Sequence, residues 1–279
     1  MTALGKKLFI RYYVNNDMPL PNQPITNKVN PKHHNHIPMQ IDLWAKPQNV
    51  TIIEGFPGLG FVATIAIEYL LDHLEIETIG KIWSPNLQPM ALVHKGKIMQ
   101  PMEIFYSKKY NLVILEAFSG IEGLEWEIAD ALVKLNDTLK AREIISIEGI
   151  GAPPLVKEEL TAYYSTNQPD KVKLLESTGC EPLMEGMIFG VSGALMIKGH
   201  DNVKTSFIFA EAQQNLPDSR AAARIIEILD KYIGLKVEIG PLVTQAGQME
   251  DHLKELLNQV KEQKQLKDVK DSDEAEYIG

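Results

Sequence analysis

A single cysteine, Cys180, in 279 residues excludes an intramolecular disulfide and any cysteine-rich zinc site. A chain that relies on no disulfide fits a reducing, cytoplasmic compartment. Nothing near Cys180 is built to make a thiolate, so a buried, inert thiol is expected. Positive charge is also short: 28 Lys and Arg stand against 37 Asp and Glu, a formal net charge of −9. That balance argues against nucleic acid or an anionic membrane as a partner, since both require basic surface. No apolar run reaches the roughly 18 residues of a membrane-crossing helix. The N-terminus lacks the basic, apolar and small-residue layout of a secretion signal.

What is present centres on Val50 to Tyr69, VTIIEGFPGLGFVATIAIEY. A short apolar run ends in Glu54. The turn Gly55-Phe56-Pro57-Gly58-Leu59-Gly60 follows, and then a run with helical periodicity. Strand, glycine turn and helix open a βαβ unit, with free N–H groups at the helix start as a candidate anion seat. The spacing G-x-x-G-x-G is neither the dinucleotide fingerprint nor a phosphate loop, which would need Lys and Ser or Thr. A second strand, Glu143 to Glu148, ends in the same Glu-Gly step before Gly151. Ligands gather at the C-terminal edge of open parallel sheets. Glu54, Gly55, Gly58, Gly60, Glu148, Gly149 and Gly151 are therefore the candidate ligand-binding residues. Packing and helix capping compete as roles for them.

The flanking segments read as four parts. Residues 1–49 form an extension with one strand at Phe9 to Val14, then an irregular arm whose dense prolines oppose helix and sheet. His33, His34 and His36 in it have no Cys, Asp or Glu close by, so no metal is expected there. Residues 50–240 form the core. Ile76 to Trp83 is a strand, and Met90 to His94 with Ile98 and Met102 to Tyr106 read as a hairpin about Lys95-Gly96. Asn111 to Leu115 and Thr205 to Ala210 are continuous apolar runs of the kind buried on both faces of a sheet. Thr161 to Ser165 alternates like a short strand. Helices are expected at Ile121 to Leu139, Asp170 to Ser177, and after Pro217, with Asp218 or Ser219 as N-cap and Gly234 as C-cap. Gly190-Val191-Ser192-Gly193 lacks the G-x-S-x-G nucleophile spacing and reads as small residues for close packing. In 241–267, Leu242, Ala246, Met249, Leu253, Leu256 and Val260 recur at alternating spacings of four and three, an a/d seam suited to self-association. Residues 268–279 read as a charged flexible tail. No catalytic set, metal or cofactor is legible.

Taken together, GFPGLG after an apolar strand, IIEGIGAPP, GMIFGVSGALM, PDSRAAARIIEIL and the terminal a/d helix resemble the archaeal branch of the proteasome assembly chaperone family. The resemblance implies a three-layer α/β/α fold with a mostly parallel central sheet, related to the phosphorylase/hydrolase-like architecture. It also implies a homo-oligomer and a non-enzymatic role as chaperone or scaffold for proteasome subunits. Some archaeal relatives dock through a hydrophobic–Tyr–any-residue tail. Here Tyr277-Ile278-Gly279 puts the tyrosine third from the end, a departure from that pattern. The alternative is a small-molecule binder or enzyme using the strand ends at Glu54–Gly60 and Glu148–Gly151.

Overall fold

The computed structural model describes residues 38–87, 92–94, 96–117, 121–151, 160–213 and 217–244. Strand β1 (Gln40–Leu43) is followed by β2 (Thr51–Gly55), helix α1 (Val62–His73) and β3 (Glu77–Trp83). The hairpin β4 (Leu92–His94) and β5 (Lys97–Met99) precedes β6 (Met102–Ser107), β7 (Leu112–Ala117) and α2 (Glu125–Leu139). Then come β8 (Glu143–Gly151), β9 (Ala162–Thr166), α3 (Val172–Ser177), β10 (Glu181–Pro182) and α4 (Gly190–Gly199). Strand β11 (Thr205–Ala212) and α5 (Ser219–Ile233) end the series. The chain divides into two units, 1–237 and 238–279.

One sheet takes the order β1-β3-β6-β7-β2-β8-β11-β9-β10. Its centre, β7-β2-β8-β11, is parallel. These are the continuous apolar runs, and a strand covered on both faces needs no polar side. The flanks turn antiparallel at β1-β3-β6-β7 and at β11-β9. Helices α2 and α4 cover one face, packed on Ile52, Val113, Leu115, Ile144 and Phe207. Helix α1 lies on the other face, where a Cβ on Gly55 would touch Ala63 and Ile67, and α5 packs beside it. The result is the expected α/β/α layering. Asp218 caps α5 by accepting from the Ala221 N–H at 3.0 Å. Gly234 ends the helix in the left-handed region at φ 71°.

Three expectations are corrected by the strand pairing. The sheet starts inside the stretch assigned to the irregular arm, because Gln40–Leu43 pairs antiparallel with β3. Pro38 and Pro47 bracket this edge strand rather than interrupt it, a position proline tolerates. Met102 to Tyr106 is not an arm of the hairpin. It joins the main sheet between β3 and β7, and only Leu92–His94 pairs with Lys97–Met99. The second strand does not end at the Glu148-Gly149 step, because the ladder to β11 continues through the Gly151–Ala212 pair. The proposed strand at Phe9 to Val14, the three histidines, the tail and the a/d seam beyond Leu242 lie outside the described residues.

At the edge opposite the glycine turn, Glu143 is buried within a satisfied polar knot. It accepts from Tyr232 Oη at 2.7 Å, from Gln168 Nε2 at 2.7 Å and from Ser206 Oγ. This links β8, β9's following loop, β11 and α5. Glu143→Ala is expected to cost about 3 kcal/mol, since three buried donors lose one acceptor, whereas Tyr232→Phe costs about 1 kcal/mol. Urea midpoints for the two variants check the difference.

Candidate functional site

The C-terminal ends of β2 and β8 lie side by side, with Glu54 opposite Ser146 in register. Alternation puts Glu54, Ser146 and Glu148 on the face that α2 and α4 cover, in line with Ile52 and Ile144. Glu54 is 1% exposed. Its carboxyl bonds the Ser146 hydroxyl, and Ser146 Oγ lies 2.9 Å from Ser192 Oγ in the first turn of α4. Glu148 in turn bonds Ser192. Two carboxyls and two hydroxyls thus form one buried chain, Glu54–Ser146–Ser192–Glu148.

The chain of groups is incompletely satisfied. Glu54 Oε1 and Glu148 Oε2 are both buried without a hydrogen-bond partner among the described residues. Burial raises the Glu54 carboxyl to about 8, with the Glu148 charge adding and the Ser146 bond opposing. Burial also raises Glu148 to about 7, against the bond from Ser192. Glu148 and Ser192 line a cleft of about 100 Å³ walled by Phe56, Pro57, Ile121 and Val191. Glu122 and Glu125 line it too, and no Lys, Arg or His does. Such a cleft repels phosphate. The described residues hold no group of three or more His, Cys, Asp or Glu placed to bind a metal.

The glycines divide by role. A Cβ on Gly55 would come within 2.8 Å of the Ala63 Cβ, and one on Gly149 within 2.4 Å of the Leu59 carbonyl oxygen. Gly60 has φ 62° and would crowd Ala212. These three hold the helix of the turn against the sheet. Gly58 instead faces Glu148, whose Oε1 lies 3.4 Å from where its Cβ would be. Gly151 is exposed at the end of the ladder with β11. The structure therefore brings together Glu54, Glu148 and Gly58, and leaves Gly151 apart. Ser146 and Ser192 complete the cluster. Their sequence signal was a serine alternating with isoleucines in EIISIE and a serine amid the small residues of GVSG. Of the seam, only Leu242 is among the described residues, in a helical turn after Ile239.

The model of the PAC2 family matches residues 52–257. The chain belongs to the PAC2 family. Its relatives include Pyrococcus furiosus PbaA, described as an archaeal homolog of proteasome-assembly chaperone. The two are 30% identical, with a TM-score of 0.72 over 82% of this chain and 95% of PbaA. Pyrococcus furiosus PbaB, an archaeal proteasome activator, is 21% identical and shares the fold, with a TM-score of 0.69 over 78% of this chain and 98% of PbaB. The uncharacterized protein MJ0106 of Methanocaldococcus jannaschii is 29% identical over 217 residues, 76% of this chain and 87% of that protein. The PAC2 match spans the glycine turn, both Glu-Gly strand ends and most of the a/d segment. Among the described residues no helix is long and apolar enough to cross a membrane.

Proposed function

We propose that this PAC2 protein is a non-enzymatic chaperone or scaffold that binds proteasome subunits or a related assembly, as a homo-oligomer in the cytoplasm. The observation that carries this is the 30% identity with PbaA over most of both chains. An exposed apolar face supports it. Met184, Met187 and Phe189, in the segment entering α4, are 83%, 82% and 71% exposed. Ile197 on α4 and Trp126 on α2 are exposed as well. A cluster of large apolar side chains left in water marks a surface for a protein partner. The test is affinity capture at native abundance with full-length protein and with 268–279 removed. Recovery of proteasome subunits by both forms is expected, and their absence from both contradicts the reading.

The homo-oligomer is assigned to the a/d seam of Leu242, Ala246, Met249, Leu253, Leu256 and Val260. Leu253→Asp is expected to lower the mass seen by light scattering, because a carboxylate in the seam is buried without a partner. An unchanged mass would show that the seam packs within one subunit. The second reading, a small-molecule binder at Glu54–Gly60 and Glu148–Gly151, is favoured by one observation, the two buried carboxyl oxygens without partners.

A further inference from the structure

Buried carboxyl oxygens without partners are uncommon, because each forfeits its hydration. Here two occur on adjacent strands of one face, Glu54 Oε1 and Glu148 Oε2. A third acceptor, Ser192 Oγ, bridges them through Ser146. Glu148 and Ser192 open onto the cleft, and Glu54, itself 1% exposed, stands behind them on β2. We propose that this cleft binds a primary ammonium on a short aliphatic stem, seated on the Glu148 carboxyl and the Ser192 hydroxyl, with Glu54 behind them through Ser146. This goes beyond the chaperone reading and does not depend on it.

The choice of ligand follows from elimination and fit. An anion is disfavoured by Glu122 and Glu125, which share the lining with no cation. The start of α4 is the one feature that favours negative charge, and the Glu148 carboxylate supplies it. A hard divalent metal takes six to eight oxygens or a strict octahedron, and the described residues hold no group of three or more side chains placed to bind one. A guanidinium is a planar fork with five donors, more than the Glu148 carboxyl and the Ser192 hydroxyl can accept. An ammonium carries three donors and no acceptor, and the Glu148 carboxyl and the Ser192 hydroxyl accept at the lining. Phe56, Pro57, Ile121 and Val191 supply an apolar sleeve. The volume of about 100 Å³ is that of roughly three waters, enough for a few methylenes.

Binding displaces a proton. The titratable groups facing the seat are Glu148 from β8, and Glu122 and Glu125 from the α2 side, while α4 contributes only hydroxyl and backbone; Glu54 on β2 lies one step behind, opposite Ser146. Burial keeps Glu54 largely protonated and Glu148 about half protonated at neutral pH, so a cation must hold Glu148 in its ionised form. Affinity therefore rises about tenfold in all as pH increases from 6 to 8, where that one proton is released.

The experiment is a titration of the full chain with n-butylammonium chloride, read by ligand-observed saturation-transfer NMR at pH 6 and pH 8. Saturable binding is expected at pH 8, about tenfold weaker at pH 6, and at least tenfold weaker in Glu148→Gln. Ammonium chloride, which lacks the stem, is expected to bind at least tenfold more weakly. Tetramethylammonium, which lacks N–H donors, is expected not to bind. Nα-acetyl-lysine N-methylamide separates the sources. Binding equal to butylammonium assigns the seat to a lysyl side chain of a protein, and failure beside a positive butylammonium result assigns it to a free alkylamine. No saturable butylammonium binding at pH 8, or binding in Glu148→Gln equal to that of the parent, overturns the proposal.

Discussion

Gly149→Ala is expected to cost the fold about 3 kcal/mol or more, while Gly58→Ala in the neighbouring turn stays within about 0.5 kcal/mol of the parent. The difference is a matter of what each new methyl meets. At Gly149 it would sit 2.4 Å from the Leu59 carbonyl oxygen and 2.8 Å from Val62 Cγ2, with Ala212 at 3.3 Å. The first of these is backbone and cannot rotate away. Strand β8 would have to leave the turn that starts α1, and its ladders to β2 and β11 would follow. Gly58 is exposed, extended at φ −157°, and its methyl would meet Glu148 Oε1 at 3.4 Å and the Phe56 carbonyl oxygen at 3.7 Å, both ordinary contacts. Urea midpoints at constant m decide it. Equal midpoints for the two variants would show that the crossing of turn and strand has slack.

Glu54→Gln is expected to stabilise the protein at neutral pH and flatten its stability–pH profile. The Glu54 carboxyl titrates near 8 in the fold against 4.5 in the open chain. Above about 4.5 the unfolded chain releases a proton that the folded one retains, so stability falls as pH climbs from about 4.5 towards 8. At pH 7 that difference of about 2.5 pH units is worth about 3 kcal/mol. Glutamine removes the titration and keeps the shape. Glu148, raised to about 7, and Glu116, raised well above its ordinary value by burial and by Glu68, Glu103 and Asp72, act in the same direction. The variant's profile therefore keeps a residual slope. Denaturation midpoints from pH 5 to pH 8 check this. Parallel profiles for parent and variant would show that Glu54 is already ionised in the fold.

These two results bear on how much the residues themselves declare. The parallel centre of the sheet was legible because β2, β7, β8 and β11 are apolar runs too continuous for a one-sided strand. Helix α5 was legible because its cap, apolar face and terminal glycine agree. The edges were not. Gln40–Leu43 has no strong pattern and becomes a strand only because β3 offers it a ladder. Met102 to Tyr106 follows a genuine hairpin signal at Lys95-Gly96 but pairs with strands distant in the chain. The candidate site was half legible: Glu54, Glu148 and Gly58 converge, but nothing local tells that Ser146 and Ser192 touch across 46 residues. Nor does glycine spacing separate Gly149, pressed against Leu59, from Gly58, open towards Glu148. Those distinctions are made by packing between elements.

On the proposed reading this PAC2 protein works by holding a proteasome subunit and not by turning over a substrate. Mixing the purified full chain with purified proteasome subunits of its own source cell, under size-exclusion with light scattering, tests that most directly. A co-eluting species whose mass is the sum of both components is expected, weakened when Met187 and Phe189 are both changed to Ser. Separate elution of the two at all mixing ratios, with each keeping its own mass, would contradict it.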